Sequence, residues 1–127
     1  MAFIKSDGLP APELATETVT VEALGGDVRV RSMSLSERLA MEQRLAIMRR
    51  KAAAESDTDA NGAQEIAWLA VVPEVLTLCV VDGDNRPVFS KAKWEFFGAS
   101  NLPVCVQLFN TAWRLSGLGS ESEDAKN

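Results

Sequence analysis

The stretch TVTVEALGGDVRVRSMSLSE, residues 18–37, changes from a strand pattern to a helix pattern and thereby decides the fold. Apolar and polar residues alternate on either side of Gly25-Gly26, and Val28 and Val30 share one face of the second run. Alternation of period two is typical of a half-buried strand, and paired glycines supply the positive φ angles of a tight turn. Residues 18–31 are therefore predicted to form an antiparallel β-hairpin.

The helical pattern begins at Ser34, because Ser34 and Glu37 have the spacing of a capping box. The predicted helices cover residues 34–53, 63–81, 90–97 and 101–116. Pro73 is expected to bend or split the second helix near residues 69–72. The β-branched valines at the end of that helix also permit a short strand there. Gly98 is expected to end the third helix.

The whole pattern indicates one mainly helical domain of the α+β class with an N-terminal β-hairpin. A chain of 127 residues with 46% hydrophobic residues can bury one modest core. The domain is predicted to span residues 18–117, between an extended arm over 1–17 and a disordered acidic tail over 118–127. Residues 55–62 carry no large apolar side chain and are expected to form a mobile linker.

Charge and hydropathy argue against nucleic acid and membranes as partners. The net charge is -5 and the pI is about 4.7, whereas affinity for nucleic acid comes from clustered Lys and Arg. The basic run Arg49-Arg50-Lys51 is interpreted as cations favoured at a helix C-terminus. The most apolar stretch, residues 66–81, is interrupted by Pro73 and is shorter than the roughly 20 residues that span a bilayer.

The cysteines and the N-terminus indicate a cytoplasmic protein. Cys79 and Cys105 lie in apolar runs without a second Cys or His at metal-binding spacing, so we expect two buried free thiols. Free thiols fit a reducing compartment. The first residues lack the basic and apolar regions of a secretory signal.

Residues suited to catalysis are scarce. The sequence has no histidine and no tyrosine, which removes the commonest general base. Two carboxylate pairs, Asp57 with Asp59 and Asp82 with Asp84, leave a small carboxylate-dependent enzyme as an alternative. Both pairs lie in polar stretches that give no means of raising a carboxyl pKa, and residues 82–85 lack the ligand spacing of a calcium loop. We therefore expect no enzyme activity, no metal and no cofactor.

Apolar residues outside a clear core pattern are candidates for binding other proteins. The arm carries such residues, and the segment from Trp94 to Phe97 places apolar side chains on more than one side of a short helix. The predicted partner-binding residues are Phe3, Ile4, Trp94, Phe97 and Trp113. For Trp113, as for Trp68, the core is the favoured alternative, because each lies in a strongly apolar helix.

Several segments together resemble the tail assembly chaperones of long-tailed, siphovirus-type phages. These segments are residues 25–34 leading into Glu37-Arg38, residues 80–82 and 85–89 followed by Trp94, and residues 113–118 before an acidic tail. The resemblance covers most of the chain from Thr18 onward. The arm matches no motif of that family.

The resemblance implies a protein that acts in the host cytoplasm during virion morphogenesis and is not part of the mature virion. The expected partners are the long, largely helical tape measure protein, which it would coat, further copies of itself, and the tail tube protein that displaces it. The resemblance also implies a longer form made by a ribosomal frameshift of -1. Residues 125–127, Ala-Lys-Asn, are compatible with the slippery heptamer A AAA AAC. The alternative is a permanent phage component such as a connector or tail-completion protein.

Overall fold

The computed structural model describes residues 2–55 and 60–117. Two strands come first, followed by two long helices, a third short strand and a kinked helix. Their bounds are β1 Thr16–Val21, β2 Gly26–Arg31, α1 Leu35–Glu55, α2 Ala60–Cys79, β3 Val80–Val81 and α3 Lys91–Leu115. The protein is a mainly helical α+β domain, as its sequence predicts. The expected tail over 118–127 lies outside the described residues.

The hairpin is longer than its sequence pattern, since β1 starts at Thr16 and shortens the predicted arm. β1 pairs antiparallel with β2, from Thr16 opposite Arg31 to Val21 opposite Gly26. The connection is a 3-10 turn over Glu22–Leu24 closed by Gly25, which has a φ of 82°. Only Gly25 needs the left-handed conformation; Gly26 is already in β2, so the predicted two-glycine turn is wrong.

The third strand replaces the predicted end of the second helix. α2 ends at Cys79, and Val80 and Val81 pair with Val30 and Arg29 of β2 in a sheet of order β1-β2-β3. β-branched valines suit a strand, and pairing satisfies backbone groups that are buried at this point. The strand alternative is therefore the correct one for these residues.

The predicted capping box forms at the start of α1. Glu37 N–H donates to Ser34 Oγ at 3.3 Å, and Ser34 N–H donates to the Glu37 carboxylate at 2.9 Å. The helix then continues to Glu55, two residues beyond its predicted end. Of the predicted linker, residues 60–62 belong to α2, and residues 56–59 lie outside the described residues.

Proline ends neither of the two later helices. α2 runs through Pro73 as one helix, so the predicted split near residues 69–72 does not occur. α3 consists of two helical segments joined by a kink at Asn101, which has non-helical angles and lies where the last predicted helix begins. Ser90 caps the first segment, and Gly98 does not end it as predicted. Pro103 explains the kink, because its ring clashes with the preceding turn. The Asn101 side chain donates to Phe97 O at 3.1 Å in place of a regular helical bond.

α2 lies at the centre of the core, between α1 on one side and α3 on the other. Its buried residues include Val71, Val75, Leu76 and Cys79, which meet the inward valines of β2 and the buried face of α3. Both cysteines are buried free thiols, as predicted. Burial raises the pKa of the Cys79 thiol to about 12. A helix that is apolar on most sides thus has neighbours on most sides.

Candidate protein-binding surfaces

The structure separates the five predicted partner-binding residues into two groups. Phe3 and Ile4 are 97% and 81% exposed, whereas Trp94 and Trp113 are 1% and 5% exposed and Phe97 is half-buried. In this conformation neither tryptophan ring is available at the surface. Of these five residues, Phe3 and Ile4 are the ones whose side chains are largely exposed.

Two aromatic clusters account for the buried group. At the start of α3, Phe89, Trp94 and Phe97 pack edge-on or tilted with ring centroids 4.9 to 5.8 Å apart. Nearer its end, Phe109 and Trp113 stack on each other at 5.1 Å, and Trp68 of α2 packs edge-on against both. The two clusters fix α3 against the β3–α3 connection and α2. Their packing contributes to the stability of the fold.

The arm, residues 2–15, is exposed at every position. It contains one short 3-10 turn over Ser6–Gly8, and its other large apolar side chains, Leu9 and Leu14, are also exposed. The arm is joined to the body at its base, where Ser32 N–H donates to Ala15 O at 2.8 Å. The four exposed apolar side chains of this segment have no cover from the described part of the chain.

A groove of about 390 Å³ lies between α2 and α3 near the kink. Apolar residues dominate its lining, which includes Leu69, Val72, Pro73, Leu76, Leu102 and Cys105. Gly98 and Ala99 also line it, and a Cβ at position 98 would lie 3.4 Å from Cys105 Sγ. Glu95 is the charged residue of the lining. A mostly apolar cleft with one charge at its side suits a short apolar segment beside a cation.

A third apolar surface lies on the outside of α1. Leu35, Leu39 and Ile47 are exposed, and Leu35 and Leu39 are four residues apart, which places them one above the other on a helix. On α3, Phe96 is 82% exposed beside the buried Trp94 and half-buried Phe97. Exposed leucines on one helix face, with no element of the described chain covering them, are available to a partner helix.

Ion pairs hold the elements beneath these surfaces. Arg31 of β2 binds both carboxylate oxygens of Glu37 at 3.0 and 3.2 Å, and this bond holds the pKa of the Glu37 carboxyl below its usual value. Glu74 of α2 accepts from Arg44 of α1 at 2.8 Å and from Lys91 of α3 at 3.4 Å, and the Arg44 bond likewise lowers its pKa. These ion pairs connect β2 to α1, and α2 to both α1 and α3.

The acidic turn after β3 has a structural role. The Asp82 carboxylate accepts from the N–H groups of Arg86 and Asp84 at 3.0 and 2.8 Å, and these bonds lower its pKa. A carboxyl group that acts as a general acid near neutral pH needs a raised pKa, not a lowered one. Asp57 and Asp59 lie outside the described residues. Within residues 2–55 and 60–117, no group of three or more Cys, Asp or Glu side chains is arranged to hold a metal ion.

The basic run of α1 does not lie at the end of its helix. α1 continues four residues past Lys51, so Arg49, Arg50 and Lys51 lie before the last turn, and their predicted position is wrong. Across the described part of the chain, no helix is long and apolar enough to cross a membrane.

Comparisons with known proteins give no relative to argue from. No protein-family model, curated protein or solved structure matches the chain. A functional proposal therefore depends on the geometry above and on the sequence segments that resemble phage tail assembly chaperones.

The sequence predictions missed the groove and the outer face of α1. Leu69 and Leu102 line the groove from different helices, so no single helical pattern marks them as neighbours. Phe96 was detectable, because adjacent residues on a helix point about 100° apart and Phe96 and Phe97 cannot both face the core. Leu35 and Leu39 fit a core pattern equally well, and the arrangement of α1 against α2 decides their exposure.

Proposed function

We propose that the protein is a tail assembly chaperone that binds and coats the tape measure protein during phage tail morphogenesis. In this proposal it acts in the host cytoplasm, associates with further copies of itself, is displaced by the tail tube protein and is absent from the mature virion. It performs no catalysis and needs no cofactor.

The observation that carries the proposal is the amount of large apolar surface outside a well-packed core. Exposed apolar side chains occur on the arm, on the outer face of α1 and beside the α2–α3 groove: Phe3, Ile4, Leu9, Leu14, Leu35, Leu39, Ile47, Leu69, Phe96 and Leu102. Single exposed leucines are ordinary, but grouped apolar residues indicate sites of protein contact. A protein that shields an aggregation-prone partner needs such groups on a folded body.

We assign the tape measure protein to the outer face of α1. Leu35 and Leu39 form a short apolar row, about 6 Å along the start of α1, and both side chains are exposed. The tape measure protein of such phages is largely helical, so its apolar helix faces can pack against this row as one helix packs against another. The arm and the groove then remain available for contacts between copies.

The proposal includes a longer form produced by frameshifting near the end of the gene. Residues 125–127 lie outside the described residues, so the support is the compatible codon pattern alone. Sequencing the gene tests this part: codons GCA, AAA and AAC with an open -1 frame are expected. Any other spelling of Ala125 to Asn127 excludes this slip site.

Co-expression with the tape measure protein tests the binding activity. We expect the wild-type chain to keep the tape measure protein soluble and to copurify with it. Replacing Leu35 and Leu39 by Gln removes the apolar row on α1 and is expected to abolish both effects. Phe96→Gln is the control, because it removes an even more exposed apolar side chain that lies neither on α1 nor in the lining of the groove, and it is expected to change neither.

Two outcomes contradict the proposal. If the tape measure protein is equally insoluble with and without this chain, the chaperone activity is absent. If the chain is found in purified phage particles at a stoichiometric amount, it is a permanent component of the connector or tail-completion kind instead.

A further inference from the structure

We infer that the Phe3-Ile4-Lys5 segment of one copy binds in the α2–α3 groove of a second copy. The inference rests on the self-association proposed above and names the two surfaces that produce it. Each copy carries one such arm and one such groove, so each molecule can donate to one neighbour and accept from another.

The arm has the properties of a segment that binds outside its own chain. Phe3 and Ile4 are its two most exposed large apolar side chains, and no element within residues 2–55 and 60–117 covers them. Residues 3–14 span roughly 40 Å when extended, which is enough to reach a neighbouring molecule. Pro10 and Pro12 restrict the backbone between the apolar tip and the body, which reduces the entropy lost on docking.

The groove has the matching properties. Its apolar lining includes Leu69 and Leu102, which are half-exposed and would be covered by an inserted side chain. Ala99 and Gly98 leave space at the α3 side of the groove where larger residues would fill it. The groove volume lies at the lower end of the range for sites that hold small ligands, which suits two side chains rather than a whole helix.

Opposite charges on the arm and on the groove favour this segment as the one that binds. Lys5 follows Phe3-Ile4 directly, and Glu95 is the charged residue of the groove lining. Both side chains are exposed, and neither forms an ion pair within residues 2–55 and 60–117. With Phe3 and Ile4 in the groove, Lys5 lies at the edge where Glu95 can pair with it. The leucines of the arm base, Leu9 and Leu14, have no adjacent cation.

Such a contact joins two different surfaces, so it is head-to-tail rather than symmetric. Head-to-tail contacts extend into open chains unless their rotation closes a ring. A row of copies linked arm to groove would present the outer faces of many α1 helices along one client. The arrangement explains how a small protein covers a very long one.

Mixing two complementary variants tests the inference on the purified full chain. The arm variant, Phe3→Ser with Ile4→Ser, keeps its groove; the groove variant, Ala99→Trp, keeps its arm. Sedimentation velocity and native mass spectrometry should show concentration-dependent dimers and longer species for the wild type. Each variant alone should be monomeric, with a dissociation constant raised at least about 30-fold. Their 1:1 mixture should form a heterodimer and nothing longer, because only one competent arm and one competent groove remain.

Each other outcome has a definite meaning. A wild-type chain that stays monomeric at all concentrations contradicts the proposed self-association itself. A wild-type chain that associates while both variants associate equally well overturns only the arm–groove inference. A mixture that stays monomeric also overturns it, as expected if the arm binds the groove of its own chain. If Ala99→Trp does not fold, Leu102→Ser serves as the groove variant.

A charge exchange gives an independent check. Lys5→Glu and Glu95→Lys should each weaken association about 2- to 5-fold, since the pair lies at an exposed edge. The double variant should recover wild-type association. If both single variants associate as the wild type does, Lys5 and Glu95 are not paired in the assembly.

Discussion

Phe3 and Trp94 are both aromatic residues that the sequence predicts to bind a partner, yet their exposure to solvent in the structure is opposite. Phe3 is 97% exposed on the arm and Trp94 is 1% exposed in the body. Apolar character is the same in both regions; the difference is whether other elements of the chain close over the side chain. Burial therefore places Trp94 in the core, where it also lines the α2–α3 groove, whereas Phe3 is left uncovered by the described part of the chain.

The enclosure of Trp94 depends on two near neighbours in sequence and on a second helix. Phe89 precedes α3, Phe97 follows one turn later, and Leu76 and Val72 of α2 line the same region. The indole Nε1 has no hydrogen-bond partner within the described chain, so apolar packing alone holds the ring. An unpaired buried N–H has a cost, which the large buried area of the ring must exceed.

Thiol reactivity should show the largest contrast between the covered and uncovered regions. Burial raises the pKa of Cys79 to about 12, so very little of this thiol is thiolate at pH 8. A cysteine introduced by Ile4→Cys should react with an aromatic disulfide at the rate of a free thiol. Site-resolved mass spectrometry compares the two positions in one molecule. Equal rates at Cys79 and position 4 would mean that the α2 core is not closed.

Removing the buried aromatic ring of Trp94 should give the largest loss of stability. Trp94→Ala is expected to lower the free energy of unfolding by about 3–5 kcal/mol, as for other buried aromatic residues. Urea unfolding measures this change. Phe96→Ala, two residues away and exposed, is the control and should change stability by less than about 0.5 kcal/mol. A mild effect of Trp94→Ala would place that ring at the surface with Phe96.

Lowering the pH should reduce the stability of the domain, because it protonates the carboxylates of its ion pairs. The pKa of Glu37 is lowered by its bonds to Arg31, and that of Glu74 by its bonds to Arg44. The two carboxylates contribute fully to the free energy of unfolding above the ordinary Glu pKa of 4.5. This contribution is lost as the pH falls through the lowered pKa values of the folded state. Glu37→Gln keeps the helix cap without the charge and should cost about 1 kcal/mol at pH 7. Stability curves of wild type and variant should converge below pH 4; a constant gap contradicts the assignment.

The smallest change in stability is expected at the uncovered residue. Phe3→Ala should leave the free energy of unfolding within about 0.5 kcal/mol of wild type, since no contact within the body is lost. The measurement is made at concentrations low enough to keep the chain monomeric. A loss of stability comparable with Trp94→Ala would show that the arm packs on its own domain in solution.

Local signals predicted the parts of the fold that local chemistry determines. The capping box at Ser34 and Glu37 and the inward valines of β2 follow from hydrogen-bonding groups and alternation within a few residues. β3 depends on β2, which offers an edge to Val80 and Val81 from 50 residues away in sequence. The continuity of α3 through Gly98 depends on packing that outweighs the low helix propensity of glycine.

The candidate surfaces were predictable only in part, for the same reason. Phe3 and Ile4 stand outside any periodic pattern, and this alone indicates that the core does not need them. The α2–α3 groove is lined by two helices and lies near the kink of α3 at Asn101. Neither the direction of the kink nor the neighbours of Leu102 can be read from one helical period.

The most direct test of the account is the amount of tape measure protein that stays soluble with the arm variant, Phe3→Ser with Ile4→Ser. The account predicts that this variant unfolds at the same urea concentration as the wild type but keeps less tape measure protein in solution. This is because isolated copies cannot form a continuous coat. Equal solubility of the tape measure protein with the variant and with the wild type would contradict the claim that the uncovered apolar residues serve assembly.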